Sequence, residues 1–406
     1  MKNSCIVFIE SNTSGTGRLF IKAGTSGYQT VMLAERPERY PFLEQDSVSC
    51  RRCNTSSSTE LGNAIQSLSR EVPLAGIFSS SEYFIEAAAM FAAKYGLPGA
   101  NPEAVRACRN KWVQRQRLQS AGLLTPKFEC VTSVGEARVV LTKIPPPVVV
   151  KPTMGSGSVG VRLCYTAEDV VDHASVLLQR TVNERGMPLP SEVLIEEYLV
   201  GQEYSVETFG EAALGITRKH VSSEPFFVEL GHDFPADLRP QIQESIATVA
   251  RQGLQALGLH WGPSHVEIRL TAKGPTIVEI NPRLAGGFIP EIVRLATGID
   301  IVRETIRLVV GEKTEIQPLR NGHASIRFLT PSRNGTIQAV NGVEAASRTE
   351  GVSDIQIYRK IGDRVGIEND FRDRIGHVIS CSDLEMSAAR ASELACGKIE
   401  IQVQPH

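Results

Sequence analysis

Apolar and polar positions divide the chain into short strand-like and longer helical segments. Apolar runs at residues 4–10, 28–34 and 73–78 are typical of buried strands, and segments of helical character separate them. Strands that alternate with helices predict a parallel sheet built from βαβ units over residues 1–100. Helices are predicted from about Arg18, from Ser81 through Ala93, and over residues 103–120, 235–258 and 288–310.

The clearest strand pattern lies near the middle of the chain. Polar and apolar residues alternate over residues 265–270 and again over 276–281, and Lys273-Gly274-Pro275 between them is a turn signal. This pattern predicts a β-hairpin. Because the side chains of a strand alternate between its two faces, residues two apart share a face, and a hairpin brings the faces of its two strands together.

One face of this hairpin collects oxygen ligands. Glu267 lies on the first strand, Glu279 and Asn281 on the second, and Arg283 follows directly. Two carboxylates and a carboxamide suit Mg²⁺, which binds one or two carboxylates together with phosphate oxygens and water. The alternative is an amphipathic hairpin whose charged face meets solvent.

After residue 310 the pattern changes to short strands. They are predicted at residues 323–328, 335–337, 352–359, 377–380 and 399–403, with one helix at about 387–396. This mixture indicates a small α+β lobe over residues 311–406, packed beside the hairpin.

Composition and charge exclude several classes of protein. A chain of 406 residues is long enough for two or three domains, and its net charge of −2 predicts neither a nucleic-acid nor a membrane partner. The N-terminus lacks the pattern of a signal peptide, and no apolar run reaches membrane-spanning length. Eight scattered cysteines do not resemble a disulfide framework, so a cytoplasmic location is expected. The single CxxC at residues 50–53 favours incidental thiols over a metal site.

Two further segments suggest nucleotide chemistry. The strand 148–151 ends at Lys151 and opens into the glycine- and serine-rich loop 153–160, where backbone amides can approach a phosphate; the alternative is a flexible turn. The strand 193–200 ends in an acidic pair before Gly201-Gln202-Glu203, where backbone groups can meet an adenine edge and an acid can accept ribose hydroxyls. Alone, this is a strand end with solvated acids.

Two other features are weak by themselves. Gly15-Thr16-Gly17 follows the first strand but lacks the full spacing of a dinucleotide fingerprint, so a structural turn is an equal alternative. Lys111 lies in a predicted helix, where a lysine is usually solvated.

Taken in order, these segments resemble the ATP-grasp superfamily and are most similar to its L-amino acid ligases. The motifs are Lys111, Val150-Lys151-Pro152 with its glycine loop, Glu196-Glu197-Tyr198-Leu199 with Gly201-Gln202-Glu203, His265-Val266-Glu267, and Val278-Glu279-Ile280-Asn281-Pro282-Arg283. The resemblance implies an α/β and α+β multidomain fold. Its parts are a Rossmann-like preATP-grasp domain (1–100), an ATP-grasp core (101–310, with a lid at about 126–200) and a C-terminal α+β lobe (311–406).

The resemblance also implies site residues. Lys111 and Lys151 hold ATP phosphates under the loop Thr153–Gly160, which includes Gly155, Ser156, Gly157 and Ser158. Glu196, Glu197, Tyr198 and Leu199 form the adenine hinge, and Glu203 takes the ribose. Glu267, Glu279 and Asn281 bind metal. Arg283 lies beside the acyl phosphate, and Gly286 and Gly287 contact the carboxylate-bearing substrate. His220 and His265 are candidates for substrate contact, although a structural role is favoured for each.

The implied activity is ATP-dependent amide formation between an amino acid and another amino acid or a small carboxylic acid, through an acyl phosphate. ATP and Mg²⁺ are the expected cofactors, with Mn²⁺ as a substitute metal. The expected partners are small carboxylates and amines, and a homodimer is expected from the resemblance. The alternatives are a purine-pathway or carboxylase-type enzyme of the same superfamily that uses formate or bicarbonate, and a nucleotide-binding regulatory protein without turnover.

Overall fold

The structure is a computed structural model that describes residues 3–13, 16–155, 157–183, 185–222 and 224–405, with only the backbone at 385 and 386. Within these residues the strands form four sheets. A parallel sheet lies at the N-terminus, a small antiparallel sheet follows, an eight-stranded antiparallel sheet spans the centre, and a three-stranded sheet lies near the C-terminus. This mixed architecture confirms the predicted α/β and α+β fold.

The N-terminal region is a parallel sheet of strand order β3-β2-β1-β4, which confirms the predicted βαβ arrangement. Its elements are β1 (Cys5–Ile9), α1 (Thr16–Thr25), β2 (Gln29–Ala34), α2 (Phe42–Gln45), β3 (Ser49–Arg52), α3 (Ser58–Glu71), β4 (Leu74–Phe78) and α4 (Ile85–Lys94). Strand β3 escaped prediction because its residues, SCRR, are polar and lie at the sheet edge. Helix α4 begins at Ile85, after the predicted start at Ser81.

The prediction of a single helix over residues 103–120 is wrong, because the structure has two helices there. These are α5 (Pro102–Arg109) and α6 (Lys111–Ser120). Asn110 between them has an extended backbone, and its side chain accepts hydrogen bonds from the amides of Trp112 and Val113. An asparagine cap of this kind starts a new helix, so Lys111 is the first residue of α6.

A four-stranded antiparallel sheet of order β5-β8-β6-β7 lies within the segment assigned to the lid. Its elements are β5 (Phe128–Val131), α7 (Val134–Val140), β6 (Val148–Pro152), β7 (Arg162–Cys164), α8 (Ala167–Leu178) and β8 (Val193–Glu197). Strand β6 ends in Lys151 and Pro152, and the glycine loop joins it to β7. The loop is therefore a β-hairpin connection at one end of this sheet.

The middle of the chain adds five strands and three helices. They are β9 (Gln202–Phe209), β10 (Ala212–Val221), β11 (Glu229–Phe234), α9 (Pro240–Leu257), β12 (Pro263–Thr271), β13 (Gly274–Asn281), α10 (Ile289–Thr297) and α11 (Ile301–Val309). Two predicted helices need correction. The helix expected over 235–258 begins at Pro240, and the one expected over 288–310 is divided at Gly298, whose φ of 80° ends α10.

The C-terminal elements complete the central sheet. They are β14 (His323–Leu329), β15 (Gly335–Asn341), α12 (Val343–Ser347), β16 (Val352–Ile357), β17 (Arg364–Val365), β18 (Gly376–Ser382), α13 (Glu385–Cys396) and β19 (Glu400–Gln404). The central sheet has the order β13-β12-β9-β10-β11-β14-β18-β16. Strands β14, β16 and β18 thus continue the sheet at the end opposite the β12–β13 hairpin, which corrects the expectation of a lobe packed beside that hairpin.

Two apolar layers fix the position of the hairpin. Helix α9 packs on its inner face, where Gly253 lets the helix approach so closely that a Cβ there would lie 2.5 Å from Cδ1 of Ile277. Helices α10 and α11 then carry the chain back against the N-terminal parallel sheet, in a core that includes Phe8, Ile292 and Val309. The end of β13 therefore lies where the central and N-terminal sheets meet.

Candidate active site

The predicted hairpin is confirmed, and its register pairs the two acids. Glu267 on β12 lies opposite Glu279 on β13, and His265 lies opposite Asn281. A β-bulge follows Glu267, because Ile268 pairs with Ile277 and leaves Val278 as the additional residue. The side chains of Glu267 and Glu279 are 19% and 17% exposed, so both carboxylates reach the surface of a cleft.

Each hairpin carboxylate has a lysine beside it. Nζ of Lys111 lies 2.9 Å from Oε1 of Glu279 and donates to the carbonyl oxygen of Gly155 at 3.0 Å. Nζ of Lys219 lies 3.2 Å from Oε2 of Glu267. The two facing carboxylates therefore have a lysine on each side. Lys111 was predicted as a phosphate ligand, whereas Lys219 was not predicted as a site residue.

Lys219 is the centre of a buried charge cluster. Its ammonium group lies 2.8 Å from carboxylate oxygens of both Glu203 and Glu229, in addition to Glu267. Burial lowers the pKa of Lys219, but the three carboxylates outweigh it and raise the pKa well above its ordinary value. The lysine thus stays charged and draws together residues from β9, β10, β11 and β12.

Lys151 lies against the hinge acid Glu196. Its Nζ is 2.5 Å from Oε2 of Glu196, and Nε of Arg115 is 2.6 Å from Oε1. Burial raises the pKa of Glu196, but Arg115 and Lys151 outweigh it and lower the pKa. The Glu196 carboxylate therefore lies at the base of the lid sheet, where its ion pair orients Lys151. Arg115, which also donates to the carbonyl oxygen of Val278 at 2.5 Å, was not predicted.

The remaining hinge residues surround Arg269. Its Nη1 donates to the carbonyl oxygen of Leu199 at 2.7 Å, and its guanidinium lies 3.1 Å from Oε2 of Glu203 and 5.4 Å from the ring centre of Tyr198. The carboxylate of Glu197 accepts a hydrogen bond from the amide of Lys127 at 3.2 Å. Glu203 thus already binds two cations, and only its remaining lone pairs are open to a ribose hydroxyl.

The glycine loop contacts α6 and the segment between β10 and β11. The carbonyl oxygen of Thr153 accepts the amide of Lys111 at 2.8 Å, and Oγ of Ser158 donates to the carbonyl oxygen of Phe227 at 3.1 Å. Gly157 has a φ of 65°, and a Cβ on it would lie 2.5 Å from the ring of Phe371. This position therefore requires glycine. Ser156, also predicted to bind nucleotide, lies outside the described residues.

The N-terminal loop adds little to the nucleotide question. Thr16 and Gly17 form the first turn of α1, and Gly15 lies outside the described residues.

Cys50 and Cys53 of the CxxC are not activated, since burial raises the pKa of each thiol to about 11. All eight cysteines are among the described residues, and all are free thiols.

Arg283 leaves the hairpin and meets the N-terminal sheet. Its guanidinium forms an ion pair with Glu82, and Arg109 binds the other oxygen of that carboxylate. Burial raises the pKa of Glu82, but Arg283 and Arg109 outweigh it and lower the pKa to about 2. Glu82 lies just beyond the carboxyl end of β4. Ligand sites commonly lie at such ends, a signal that could have found this residue.

The two candidate histidines already have partners. Nδ1 of His265 lies 3.0 Å from Oε1 of Glu207, and its Nε2 lies 3.2 Å from Oε1 of Glu267. Burial lowers the pKa of His265, but the two glutamates raise it to about 9, so the ring is cationic at neutral pH. His220 lies 2.5 Å from Asp233. The favoured structural role agrees with these contacts, and His265 orients Glu267.

A third histidine, which sequence reasoning missed, lies beside the glycine pair. His232 is fully buried, and neither ring nitrogen has a hydrogen-bond partner among the described residues. Burial lowers its pKa to about 3, although Glu229 at 3.7 Å opposes this effect. A Cβ on Gly287 would lie 2.6 Å from Nε2, so the neutral ring is directed at the loop of Gly286 and Gly287. Arg374 binds the Glu229 oxygen that faces His232, Oε2, at 2.7 Å, and Lys219 binds the other oxygen.

The hairpin acids fit a hard divalent metal. Glu267, Glu279 and Asn281 provide carboxylate and carboxamide oxygens on one face, with lysines on two sides. Among the described residues, no group of three or more His, Cys, Asp or Glu side chains forms a complete metal cage. This donor set suits Mg²⁺, which completes its octahedron with phosphate oxygens and water.

A large cavity lies elsewhere. It has a volume of about 1330 Å³ and runs between α1, α10, α11 and β16, reaching the site only at Phe288. The cluster of lysines and carboxylates instead lies where the lid sheet meets the central sheet, since Lys111 contacts both Gly155 and Glu279 and Arg115 contacts both Glu196 and Val278. No helix in the described part of the chain is long and apolar enough to cross a membrane.

Comparison with known proteins agrees with this geometry. The ATP-grasp domain family matches residues 144–291, and the L-amino acid ligase C-terminal domain 2 matches residues 327–404. The chain belongs to the ATP-grasp superfamily of carboxylate–amine ligases. Enzymes of this superfamily use ATP with a divalent metal, and these ligases form carbon–nitrogen bonds.

Individual relatives cover most of the chain. An uncharacterised protein of Sinorhizobium fredii is 33% identical over 98% of this chain and 83% of its own length. The L-arginine-specific L-amino acid ligase of Bacillus subtilis is 23% identical over 72% of this chain and 71% of its own length. The crystal structure of an L-amino acid ligase from Bacillus licheniformis superposes with a TM-score of 0.83 at 20% identity, over 100% of both chains, which shows the shared fold.

Proposed function

We propose that this ATP-grasp ligase joins the carboxylate of an amino acid or small acid to the amine of an amino acid through an acyl phosphate, releasing ADP and phosphate. The observation that carries the proposal is that a proposed metal–triphosphate site on the hairpin lies close in the chain to Arg283, the residue proposed to contact the acyl phosphate. Glu267 and Glu279, each with a lysine, suit a metal-bound triphosphate, and Arg283 lies two residues beyond the end of β13.

The first step is transfer of the γ-phosphoryl group to the substrate carboxylate. A carboxylate lacks a good leaving group, and phosphorylation supplies one. Lys111 and Lys151, with Lys219 opposite, place positive charge around the transferring group, and catalysis of this step depends on such charge and on positioning. Mg²⁺ held by Glu267 and Glu279, with Asn281, would neutralise phosphate oxygens when bound.

The second step is attack of the amine on the acyl phosphate. The new C–N bond forms through a tetrahedral oxyanion, which collapses with loss of inorganic phosphate, and the amine gives up a proton. We assign the stabilisation of this oxyanion to Arg283, because its guanidinium is held by Glu82 rather than free to rotate. The glycine loop, which includes Gly157, excludes water from an intermediate that hydrolyses readily.

The pocket beyond Arg283 suits an amino acid. Glu229 and Arg374 supply one group of each charge, and His232 presents a neutral ring with both nitrogens unpartnered. Gly286 leaves its backbone accessible beside it, since no atom of the described residues lies within 4 Å of a Cβ placed there. We therefore assign the substrate ammonium and carboxylate groups to this pocket, between the glycine pair and β11.

The test is phosphate release with Mg²⁺-ATP against single acids and acid–amine pairs, with mass spectrometry of the products. The panel includes the twenty protein amino acids, β-alanine, formate and bicarbonate. An amide mass that forms together with ADP supports the proposal and names both substrates. Turnover with formate or bicarbonate alone favours the purine-pathway or carboxylase alternative. ATP binding without turnover in any pair favours a regulatory protein and contradicts the proposal.

A further inference from the structure

A strained turn separates Arg283 from helix α10. The amide of Ile289 donates to the carbonyl oxygen of Gly286 at 3.1 Å, and the two residues between them, Gly287 and Phe288, have φ values of 60° and 58°. Glycine adopts this conformation freely, whereas a bulky residue such as phenylalanine rarely does. Such a conformation persists only where surrounding structure imposes it, so some contact must hold Phe288.

Phe288 packs against the apolar core around Ile292, and its ring contact is with His377 on strand β18. The ring centres of Phe288 and His377 are 4.5 Å apart, and His377 is fully buried. Both nitrogens of His377 are fixed: Nδ1 lies 2.5 Å from the hydroxyl of Tyr358, and Nε2 lies 2.9 Å from Oδ2 of Asp354. Burial lowers the pKa of His377, so its neutral ring accepts from Tyr358 and donates to Asp354.

The opposite side of the same turn faces the candidate active site. Gly287 lies against His232, which belongs to the cluster around Glu229. The turn is therefore held between two buried histidines, one in the proposed substrate pocket and one in the C-terminal strands. Tyr358, His377 and Asp354 contact none of the groups assigned to phosphate or metal, so the reaction assigned above leaves this hydrogen-bonded chain unused.

We propose that His377 is a positioning residue. Fixed by Tyr358 and Asp354, its ring holds Phe288 in the left-handed conformation and thereby sets the backbone of Gly286 and Gly287 against the amino-acid substrate. This inference rests on the proposed function for its kinetic consequence. Its structural part, that the chain from Tyr358 orders the turn, can be tested without any substrate.

The direct variant is Tyr358→Phe, which removes one hydrogen bond to His377 at a partly exposed position and keeps the aromatic ring. Tyr28→Phe is the matched control, because it removes a comparable hydrogen bond, to Glu312, and leaves Tyr358, His377 and Asp354 unchanged. Amide hydrogen exchange is measured on peptides that cover residues 283–292. Tyr358→Phe is expected to accelerate exchange there by about threefold or more, while Tyr28→Phe leaves it unchanged.

Kinetics provide the second readout. Initial rates of phosphate release are measured with Mg²⁺-ATP and an equimolar mixture of the twenty protein amino acids. Tyr358→Phe is expected to raise the KM for the mixture by about threefold or more and to leave the KM for ATP within about twofold. His377→Gln keeps a donor and an acceptor but loses the flat ring, so it is expected to have the same effect.

A double-mutant cycle tests whether the effect of Tyr358→Phe acts through Phe288. Phe288→Gly relieves the backbone strain and removes the ring contact, so adding Tyr358→Phe to it should change neither exchange nor KM further. The inference is overturned if Tyr358→Phe has its full effect in the Phe288→Gly background. It is also overturned if Tyr358→Phe leaves amide exchange at residues 283–292 unchanged, or if it accelerates exchange equally throughout the central sheet. If the wild type shows no turnover, the proposed function fails, and the exchange data alone decide whether the chain orders the turn.

Discussion

Glu267 and Glu279 lie directly opposite each other in the β12–β13 hairpin, each beside the ammonium group of a different lysine. Two facing carboxylates repel each other, and the arrangement is stable only with cations between or beside them. Lys111 and Lys219 supply part of the required positive charge within the protein. In the proposed reaction, the divalent metal that accompanies the triphosphate supplies the rest.

The first prediction concerns Glu279. Glu279→Ala removes one of the two proposed metal carboxylates and is expected to lower kcat by at least about 100-fold, without recovery at high Mg²⁺. Steady-state phosphate release over a range of Mg²⁺ concentrations measures this effect. Glu244→Ala, at an exposed position on α9, serves as the control and should retain full activity. Near-normal turnover of Glu279→Ala in saturating Mg²⁺ would remove Glu279 from the metal site.

A second prediction distinguishes the proposed role of Arg283 at the acyl phosphate from a role in binding ATP. Arg283→Ala is expected to lower kcat by about 100-fold while the KM for ATP changes by less than about threefold, because the guanidinium is assigned to the oxyanion and not to the nucleotide. Measuring both constants for the same preparation tests this split. Since the substitution also breaks the ion pair with Glu82, thermal unfolding is recorded alongside, and Glu82→Gln controls for loss of that pair. A defect confined to ATP binding would contradict the assignment.

The third prediction follows from the low pKa of Glu82. Its pKa falls from an ordinary 4.5 to about 2 in the folded protein, so Glu82 stabilises the fold above pH 4.5. That contribution, about 3 kcal/mol, is lost as pH falls from roughly 4.5 toward 2. Urea unfolding at several pH values should therefore show that the stability difference between wild type and Glu82→Gln shrinks over this range. A difference independent of pH would show that Glu82 is not held ionised by Arg283 and Arg109.

The fourth prediction concerns the buried lysine. Lys219→Met leaves three carboxylates without their shared cation and is expected to lower the free energy of unfolding by about 3–5 kcal/mol. Lys143→Met provides the contrast, because Lys143 is 66% exposed in its pair with Glu129 and should contribute less than about 1 kcal/mol. Urea titrations of both variants test the ranking. Equal effects would mean that Lys219 does not organise the cluster.

Local sequence patterns predicted the hairpin because residues 265–270 alternate between polar and apolar and because Gly274 and Pro275 indicate a chain reversal, although the structure places both at the start of β13. The same reasoning missed Lys219, since its partners Glu203, Glu229 and Glu267 come from three other strands whose pairing no local pattern reveals. The division between α5 and α6 was missed for a different reason: Asn110 is compatible with a helix interior, and only its capping hydrogen bonds show the break.

Domain-level expectations show the same limit. The change to short strands after residue 310 was visible in the sequence, but the sequence did not show that β14 would pair with β11 and extend the central sheet. Register and neighbour choice in a sheet depend on long-range packing. His232 was missed for a related reason, because a lone histidine on a strand is usually structural, and only its unpartnered nitrogens and the approach of Gly287 distinguish it.

The most direct test of the central claim follows oxygen atoms. The acid identified by the substrate panel is labelled with ¹⁸O in its carboxylate and incubated with Mg²⁺-ATP, the amine and the protein, and the phosphate released is analysed by mass spectrometry. An acyl phosphate predicts ADP as the nucleotide product and one labelled oxygen transferred to each inorganic phosphate. Unlabelled phosphate, or AMP with pyrophosphate, would contradict the account.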